Sequence, residues 1–293
     1  MINLQNKISV NEIGYIDQGA REYQFFKADV EDALLNNIFS EHRIFSSKAG
    51  FSKTFTSNKV AKDNGISLIK FEGSVGLFAF CADVATVLIN APKDNSKIHC
   101  LFDDCDSLFS KGDNLNTLKG MFDADRNVLK YGKQLGGQYH QLDDTQKAAI
   151  DAFRTDGKSG FEIPTDRFVF ITLTNKWFPT SDDVDTASDS KKDYYGGLAA
   201  IRRRTQFKEI VFEKGVDWGY CANILLNSTL AEQWMPDITL DQKIEILRFT
   251  SPTNNWDKMT ERNLSVFDKM VKDMVRFPNN YYDRWISQYI VKK

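Results

Sequence analysis

The segment CLFDDCDSLF, residues 100–109, decides the fold that we predict for this chain. In it a short apolar run ends in two adjacent carboxylates, Asp103 and Asp104. A buried strand of a parallel sheet is typically such a run, and ligands bind at the carboxyl ends of these strands. The segment therefore predicts a strand that carries acidic groups to a ligand-binding edge. The alternative is a strand end with two solvated acids, with Asp106 capping the turn that follows.

Strands and helices alternate on both sides of this segment, as far as residue 214. We expect strands in residues 42–47, 66–73, 97–104, 167–175 and 207–213. Helical patterns lie in residues 27–42, 75–91, 114–123 and 198–204, and a loop and helix closed by Gly65 fill residues 47–65. This alternation predicts an α/β fold, a parallel sheet with helices on both faces.

The remaining segments set the predicted domain organisation. Residues 1–22 are polar and irregular and are expected to form an N-terminal arm, either extended or packed on the protein, and residues 23–214 the α/β domain. An insertion at about 124–166 holds a possible strand and a polar helix, and the Asp-, Ser- and Thr-rich residues 176–195 are expected to be a mobile loop. Residues 215–293 contain only helical patterns and are predicted to be a helical domain.

The composition restricts the class of protein. Of 293 residues, 42% are hydrophobic and 27% charged, and the net charge of -2 argues against a protein-wide basic surface for nucleic acid. The longest apolar stretch, residues 76–89, is too short to span a bilayer, and the N-terminus lacks the features of a secretory signal. The four cysteines form no C-x-x-C pair, so we expect core thiols in a cytoplasmic protein without a membrane partner.

A candidate phosphate-binding loop precedes the acidic strand. The segment SKAGFSKT, residues 47–54, matches the pattern G-x-x-x-x-G-K-[ST] at Lys53 and Thr54 and has an inner glycine, Gly50. In that pattern the backbone amides wrap phosphates, the lysine reaches the β/γ oxygens and the hydroxyl holds Mg2+. The alternative is a polar turn before a helix, with Lys53 solvated.

Both signature glycines of this loop are serine, Ser47 and Ser52. A serine is tolerated where the glycine would have negative φ and is strained where φ is positive. Residues 152–159, AFRTDGKS, fit a relaxed pattern better and would make Lys158 the phosphate ligand. A phosphate loop must connect a strand to a helix, however, and a helical pattern precedes this second segment. We therefore assign the loop to residues 47–54.

Further candidates follow the strand at residues 167–175. Asn175 ends that strand and could position a water molecule beside Asp104, or it could simply be a turn residue. The run of Arg202, Arg203 and Arg204 could supply an arginine finger to a neighbouring subunit. Its alternative is a basic helix end that favours the helix dipole.

Taken in order, these motifs resemble those of the AAA+ ATPase superfamily, a group of P-loop NTPases. SKAGFSKT is similar to a degenerate Walker A motif, CLFDD to Walker B, FITLTN to the sensor 1 strand and LAAIRRR to the arginine-finger helix. The phrase LFDDCDSLF followed by NLNTLKGMFD is most similar to AAA+ ATPases encoded by bacteriophages. The resemblance covers roughly residues 25–275 and implies an α/β nucleotide-binding core followed by a helical lid.

The resemblance also implies roles for individual residues. Lys53 and the loop around Ser47, Gly50 and Ser52 would bind the ATP phosphates, with Arg262 as a further ligand from a lid helix. Thr54 and Asp103 would hold Mg2+. Asp104 would replace the usual catalytic glutamate, with Asn175 as the sensor and Arg203 as the finger from the neighbouring subunit.

Two functional classes therefore remain open. The first is an oligomeric, ring-forming ATPase that binds ATP and Mg2+ and remodels a protein or nucleic-acid assembly, with phage replication or genome handling in the host cytoplasm as the setting by analogy. The second is a binding or scaffold subunit of a larger complex that keeps the fold and has lost turnover, which the serine-substituted loop favours. A nucleic-acid-binding, clamp-loader-like subunit would need a basic surface, for which the sequence offers only scattered candidates.

Overall fold

The computed structural model describes residues 7–35, 42–94, 96–110, 112–123, 125–154, 159–227 and 238–291. Its strands are Arg43–Ser46 (β1), Leu68–Glu72 (β2), Ile98–Asp103 (β3), Val128–Tyr131 (β4), Phe161–Pro164 (β5), Phe168–Thr174 (β6) and Gln206–Glu209 (β7). Its α-helices are Val10–Leu35 (α1), Lys53–Asp63 (α2), Leu77–Asn90 (α3), Gly112–Met121 (α4), Gly137–His140 (α5), Asp144–Ala152 (α6), Ser181–Asp185 (α7), Asp189–Arg204 (α8), Val216–Leu226 (α9), Leu240–Thr250 (α10), Leu264–Arg276 (α11) and Tyr281–Tyr289 (α12). Two short 3-10 helices cover Asp106–Phe109 and Trp256–Lys258.

The chain has an α/β fold whose main sheet contains five parallel strands in the order β2-β3-β6-β1-β7, flanked by helices. All seven residues of β6 are buried, as expected of a central strand in a parallel sheet. Phe102 of β3 stacks on Phe170 of β6, with ring centroids 5.3 Å apart. In the register Ser46 pairs with Thr174 and Asp103 with Leu173, so β1, β3 and β6 end at the same edge.

The chain divides into two compact units. The sheet unit contains Val30–Ser47 and Thr54–Ile210, and the helical unit contains Met1–Asp29, Lys48–Lys53 and Val211–Lys293. Within the helical unit, the Trp218 indole donates to the Thr250 hydroxyl at 3.1 Å. Trp285 is fully buried there, whereas Tyr282 is 49% exposed.

The prediction of an irregular arm over residues 1–22 was wrong for residues 10–22, which belong to α1. This helix also includes residues 27–35 of the pattern predicted as helical, and residues 36–41 of that pattern lie outside the described residues. Five large apolar side chains that are buried along α1 are spaced by three, four or seven residues: Ile16, Tyr23, Phe26, Val30 and Leu34. That spacing forms one helical face, and it is the signal that could have identified the helix.

The predicted mobile loop at residues 176–195 was also wrong, because α7 and the start of α8 lie in it. Thr180 and Asp183 form a capping box, in which each side chain accepts from the other residue's backbone N–H. The Asp, Ser and Thr residues that suggested a loop are therefore helix caps and first-turn acids. The last strand, predicted over residues 207–213, is shorter and ends at Glu209.

The insertion at residues 124–166 forms an antiparallel pair of strands and two helices. The possible strand at residues 126–132 is confirmed as β4, which pairs with β5, and the polar helix is confirmed as α6. Because α6 ends at Ala152, a helix does precede the second phosphate-loop candidate, and residues 155–158 of that candidate lie outside the described residues. All four cysteines are buried free thiols, as expected.

His42 gives the sheet unit a specific pH dependence. The ring packs 5.1 Å from Phe170, its Nδ1 accepts from the Phe170 N–H, and burial, with a smaller contribution from the charge of Lys97, lowers its pKa to about 4. Above the unfolded pKa of about 6.5 both states are neutral, whereas between 6.5 and 4 the unfolded state takes up the proton first. Stability is therefore lost as the pH falls through this window.

We expect the His42 contribution to the free energy of unfolding to fall by about 2 kcal/mol between pH 6.5 and pH 5. Urea unfolding at both pH values should show a smaller pH dependence in His42→Phe than in the wild type. His140→Gln changes an exposed histidine and should keep the wild-type slope. An unchanged slope in His42→Phe would contradict the prediction.

Candidate active site

The acidic residues predicted from the sequence lie at the carboxyl edge of the main sheet. Asp103 is the last residue of β3, and its carboxylate Oδ1 accepts a 2.9 Å hydrogen bond from the Thr54 hydroxyl. Thr54 lies in the first turn of α2, directly after Lys53. The structure therefore brings together the two side chains predicted to share a Mg2+ ion, although they are 49 residues apart in sequence.

Asp104 and Asn175 form the second pair at this edge. The Asn175 amide Nδ2 donates to Asp104 Oδ1 at 3.2 Å, and both residues are exposed. Asp104 has a φ of 53°, in the left-handed region that Asp and Asn tolerate better than most residues. This backbone conformation turns the chain away from β3 directly after Asp103, and the Asp104 carboxylate remains open to solvent.

Asp106 and Thr174 form a third pair, which the sequence analysis missed. Their side chains share a short hydrogen bond from the Thr174 hydroxyl to the Asp106 carboxylate. Asp106 starts the 3-10 helix Asp106–Phe109 but its carboxylate contacts β6, so the predicted capping alternative is not its main interaction. The sequence feature that could have identified this pair is the cluster of acidic residues at 103, 104 and 106. These residues follow one parallel strand, and polar residues stand at the end of a neighbouring strand.

Cys105 lies between these carboxylates and is not a nucleophile. Burial first, and then the negative charges of Asp103, Asp106 and Asp104, raises the pKa of its thiol to about 11. The thiol donates to the Phe71 carbonyl at 3.1 Å and is buried. Cys105 therefore stays protonated at neutral pH and fixes the turn by packing and hydrogen bonding.

The predicted phosphate loop has the backbone of a tight turn. Gly50 has a φ of 82°, and a Cβ there would lie 2.6 Å from the Asn263 side chain, so only glycine fits. Ser52 has a φ of 55°, whereas the φ of Ser47 is not positive. The Ser47 N–H donates to the Thr174 carbonyl and so continues the hydrogen bonding of β1 by one residue. Of the two serines that replace signature glycines, Ser52 is thus the strained one.

Contacts inside the helical unit stabilise this loop. The Ser52 hydroxyl and the Tyr220 hydroxyl are hydrogen-bonded at 3.0 Å, and the Tyr220 hydroxyl also donates to the Phe51 carbonyl. The Lys53 ammonium donates to the Lys48 carbonyl at 3.3 Å, and its side chain is largely buried. Lys53 therefore folds back over its own loop instead of projecting into solvent.

The strain at Ser52 leads to a stability prediction. We expect Ser52→Gly to be more stable than Ser52→Ala by about 1 kcal/mol, because both lose the Tyr220 contact and only alanine keeps a Cβ at positive φ. Chemical denaturation of the two variants measures this difference. Equal stability, or a more stable alanine variant, would show that the loop relaxes to negative φ.

The three arginines at the end of α8 have different surroundings. Arg202 donates to the Phe178 carbonyl at 2.5 Å and lies 4.3 Å over the Phe207 ring, so it is a packing residue. Arg204 forms an ion pair with Asp123. The exposed Arg203 donates to the Ser181 hydroxyl at 3.2 Å, and it is the arginine best available to a partner.

Arg262 does not lie on a helix, contrary to its predicted position. It precedes Asn263, the N-cap of α11, and pairs with Asp257 at 3.5 Å. The Lys214 ammonium lies 2.9 Å from the same Asp257 carboxylate. Within the helical unit Arg262 is therefore part of a small, exposed charge cluster.

A separate cleft of about 1050 Å³ lies in the sheet unit. Ser107 and Ser110, which follow the acidic residues, form one part of its wall, and Phe78 and Tyr131 form an aromatic part. Lys133 and Asp113 at the cleft form an ion pair at 2.8 Å. The insertion therefore contributes to a cavity whose wall includes the segment that follows Asp104.

Comparison with protein-family models and with curated proteins finds no match for this chain. In the part of the chain that the structure describes, no helix is long and apolar enough to cross a membrane. The described residues also contain no group of three His, Cys, Asp or Glu side chains arranged to hold a metal ion.

Proposed function

We propose that the chain is an AAA+-type ATPase that binds ATP and Mg2+ at the subunit interfaces of an oligomer and remodels a protein or nucleic-acid assembly. One observation carries this proposal, the 2.9 Å hydrogen bond between Thr54 and Asp103. It joins the hydroxyl that follows the loop lysine to the carboxylate that ends the acidic strand β3. The parallel sheet supports the proposal because ligands bind at the carboxyl ends of such strands.

The donor atoms fit magnesium. Mg2+ prefers oxygen ligands and uses one or two protein groups together with phosphate oxygens and water, so it needs no preformed cage of three carboxylates. Thr54 and Asp103 would supply the two protein oxygens. When bound, Mg2+ neutralises charge on the β- and γ-phosphates.

The chain's own residues would perform the remaining steps. Asp104, exposed and held by Asn175, would accept the proton of the attacking water. Asn175 would keep the Asp104 carboxylate in one orientation. Lys53 would bind phosphate oxygens, and the exposed Arg203 would reach the nucleotide of a neighbouring subunit.

An alternative is a scaffold subunit that binds nucleotide weakly and does not turn it over. The serine-substituted loop favours this alternative, because the positive φ at position 52 strains a serine and would not strain the signature glycine. The ATPase would hydrolyse the bound ATP, whereas the scaffold subunit would bind it without hydrolysis.

Equilibrium binding of a fluorescent ATP analogue tests the nucleotide site. We expect binding that requires Mg2+ and that weakens about 10-fold in Lys53→Ala and in Thr54→Ala, since each loses a charge-assisted or metal contact. Lys158→Ala serves as the control for the second loop candidate and should bind as the wild type does. Loss of binding in Lys158→Ala alone would move the site to residues 152–159.

A further inference from the structure

Three consecutive residues at the end of β6 hold the segment that follows β3. The Thr174 hydroxyl donates to Asp106, and the Asn175 amide donates to Asp104 at 3.2 Å. Next in sequence, the Lys176 ammonium donates to the Ser110 hydroxyl at 3.2 Å. The segment 104–110 is therefore hydrogen-bonded to residues 174–176 at three positions, Asp104, Asp106 and Ser110.

Lys176 has unusual partners for a half-buried cation. Its ammonium also donates to the Tyr194 hydroxyl at 3.1 Å, which in turn donates to the Phe109 carbonyl at 2.8 Å. Among the described residues no carboxylate forms an ion pair with Lys176. Its two oxygen partners, the hydroxyls of Ser110 and Tyr194, are neutral. The ammonium therefore contacts Ser110 directly and is linked to Phe109 through Tyr194.

The backbone of Lys176 is itself fixed. The Ser46 hydroxyl, at the end of β1, donates to the Lys176 carbonyl at 2.6 Å. The Lys176 N–H donates to the Thr174 hydroxyl at 3.0 Å. The lysine thus projects from a rigid part of the sheet edge, and its contacts can transmit that rigidity to the segment 104–110.

We propose that Lys176 is a positioning residue for Asp104. It fixes the far end of the 3-10 helix, while Thr174 and Asn175 fix the near end, so the exposed Asp104 carboxylate keeps one orientation. Without Lys176 the Ser110 end of the segment loses its direct hydrogen bond to the sheet edge, while the bond of Tyr194 to the Phe109 carbonyl and those of Ser107 to Val75 remain. The Asp104 carboxylate is then held less firmly in one orientation. The catalytic consequence rests on the proposed ATPase function, whereas the structural consequence does not.

Hydrogen exchange of the full chain tests the structural part. The amides of Leu108 and Ser110 are hydrogen-bonded to the carbonyls of Cys105 and Ser107. In Lys176→Met we expect the peptide that contains them to exchange about 10-fold faster, as the loss of two side-chain hydrogen bonds implies. Lys191→Met, which changes an exposed lysine of α8, should leave this exchange unchanged. Unchanged exchange in Lys176→Met would overturn the proposal.

Steady-state hydrolysis tests the catalytic part. We expect Lys176→Met to lower kcat about 10-fold or more with an unchanged KM for ATP, because a displaced general base slows chemistry and not binding. Lys176→Arg keeps a donor to both oxygens and should recover most of the rate. Faster exchange with an unchanged kcat would overturn the positioning role. A wild type that hydrolyses no ATP would overturn the proposed function, and exchange alone would then decide whether Lys176 holds the segment.

Discussion

Replacing Asp104 by asparagine is expected to lower the rate of ATP hydrolysis at least about 100-fold while ATP binding stays within about twofold of the wild type. The carboxylate is exposed and accepts from Asn175, so it is placed to take a proton from water. Asparagine has the same shape and tolerates the φ of 53° at this position, so the variant removes the charge and keeps the fold. Hydrolysis at saturating ATP and equilibrium binding measure the two quantities separately.

A carboxylate elsewhere on the surface provides the control for this experiment. Asp144→Asn on α6 changes a fully exposed side chain and should hydrolyse ATP at the wild-type rate. Asp104→Glu tests whether the position of the carboxylate matters, because the extra methylene moves the carboxylate relative to Asn175. A rate in Asp104→Asn equal to that of Asp144→Asn would remove Asp104 from the mechanism, and an inactive wild type that binds ATP would favour the scaffold function.

Replacing Gly219 by alanine is expected to destabilise the helical unit by about 3 kcal/mol, the upper end of the usual cost of overpacking. A Cβ on Gly219 in α9 would lie 1.8 Å from the Tyr15 carbonyl oxygen of α1. The contact is reciprocal, since a Cβ on Gly19 in α1 would lie 2.1 Å from the Tyr220 nitrogen. The two helices therefore meet backbone to backbone, and neither backbone can move aside as a flexible side chain could.

The matched control is Gly14→Ala in the same helix α1. No heavy atom lies within 4 Å of a Cβ at Gly14, so alanine should stabilise the protein by about 0.5–1 kcal/mol through its higher helix propensity. Thermal or chemical unfolding of both variants measures the difference in sign. A Gly219→Ala variant as stable as the wild type would contradict the close approach of α1 and α9, and a destabilised Gly14→Ala would contradict the open space at Gly14.

Local patterns were sufficient for most secondary structure. The apolar runs that became β3 and β6 were found because a buried parallel strand needs a continuous apolar run. The N-terminal part of α1 was missed because its polar residues outnumber the apolar ones, and its single apolar face is visible only as a spacing. The helix α7 and the first half of α8 were missed because their Asp-, Ser- and Thr-rich sequence also suits a loop, whereas residues 198–204 of α8 were predicted as helical.

The sequence predicted most of the residues of the candidate site but only some of the contacts between them. The sequence order indicated Thr54, Asp103, Asp104 and Asn175, since strand ends of a parallel sheet share one edge. The contacts of Asp106 with Thr174 and of Lys176 with Ser110 were not predictable, because they depend on side-chain directions at the end of β6. The surroundings of the arginines were not predictable either. Only the structure shows that Arg202 is packed and that Arg203 is exposed.

By itself, the sequence determined the α/β class, the acidic strand β3 and the candidate phosphate loop, because each depends on residues that are neighbours in the chain. The tertiary structure alone decided the strand order, the positive φ of Ser52 and the pairing of the end of β6 with the segment after β3. These features join residues distant in sequence, or depend on the backbone conformation that the packed chain imposes. Local propensity carries no information about which distant groups will meet, and packing and hydrogen bonding select them.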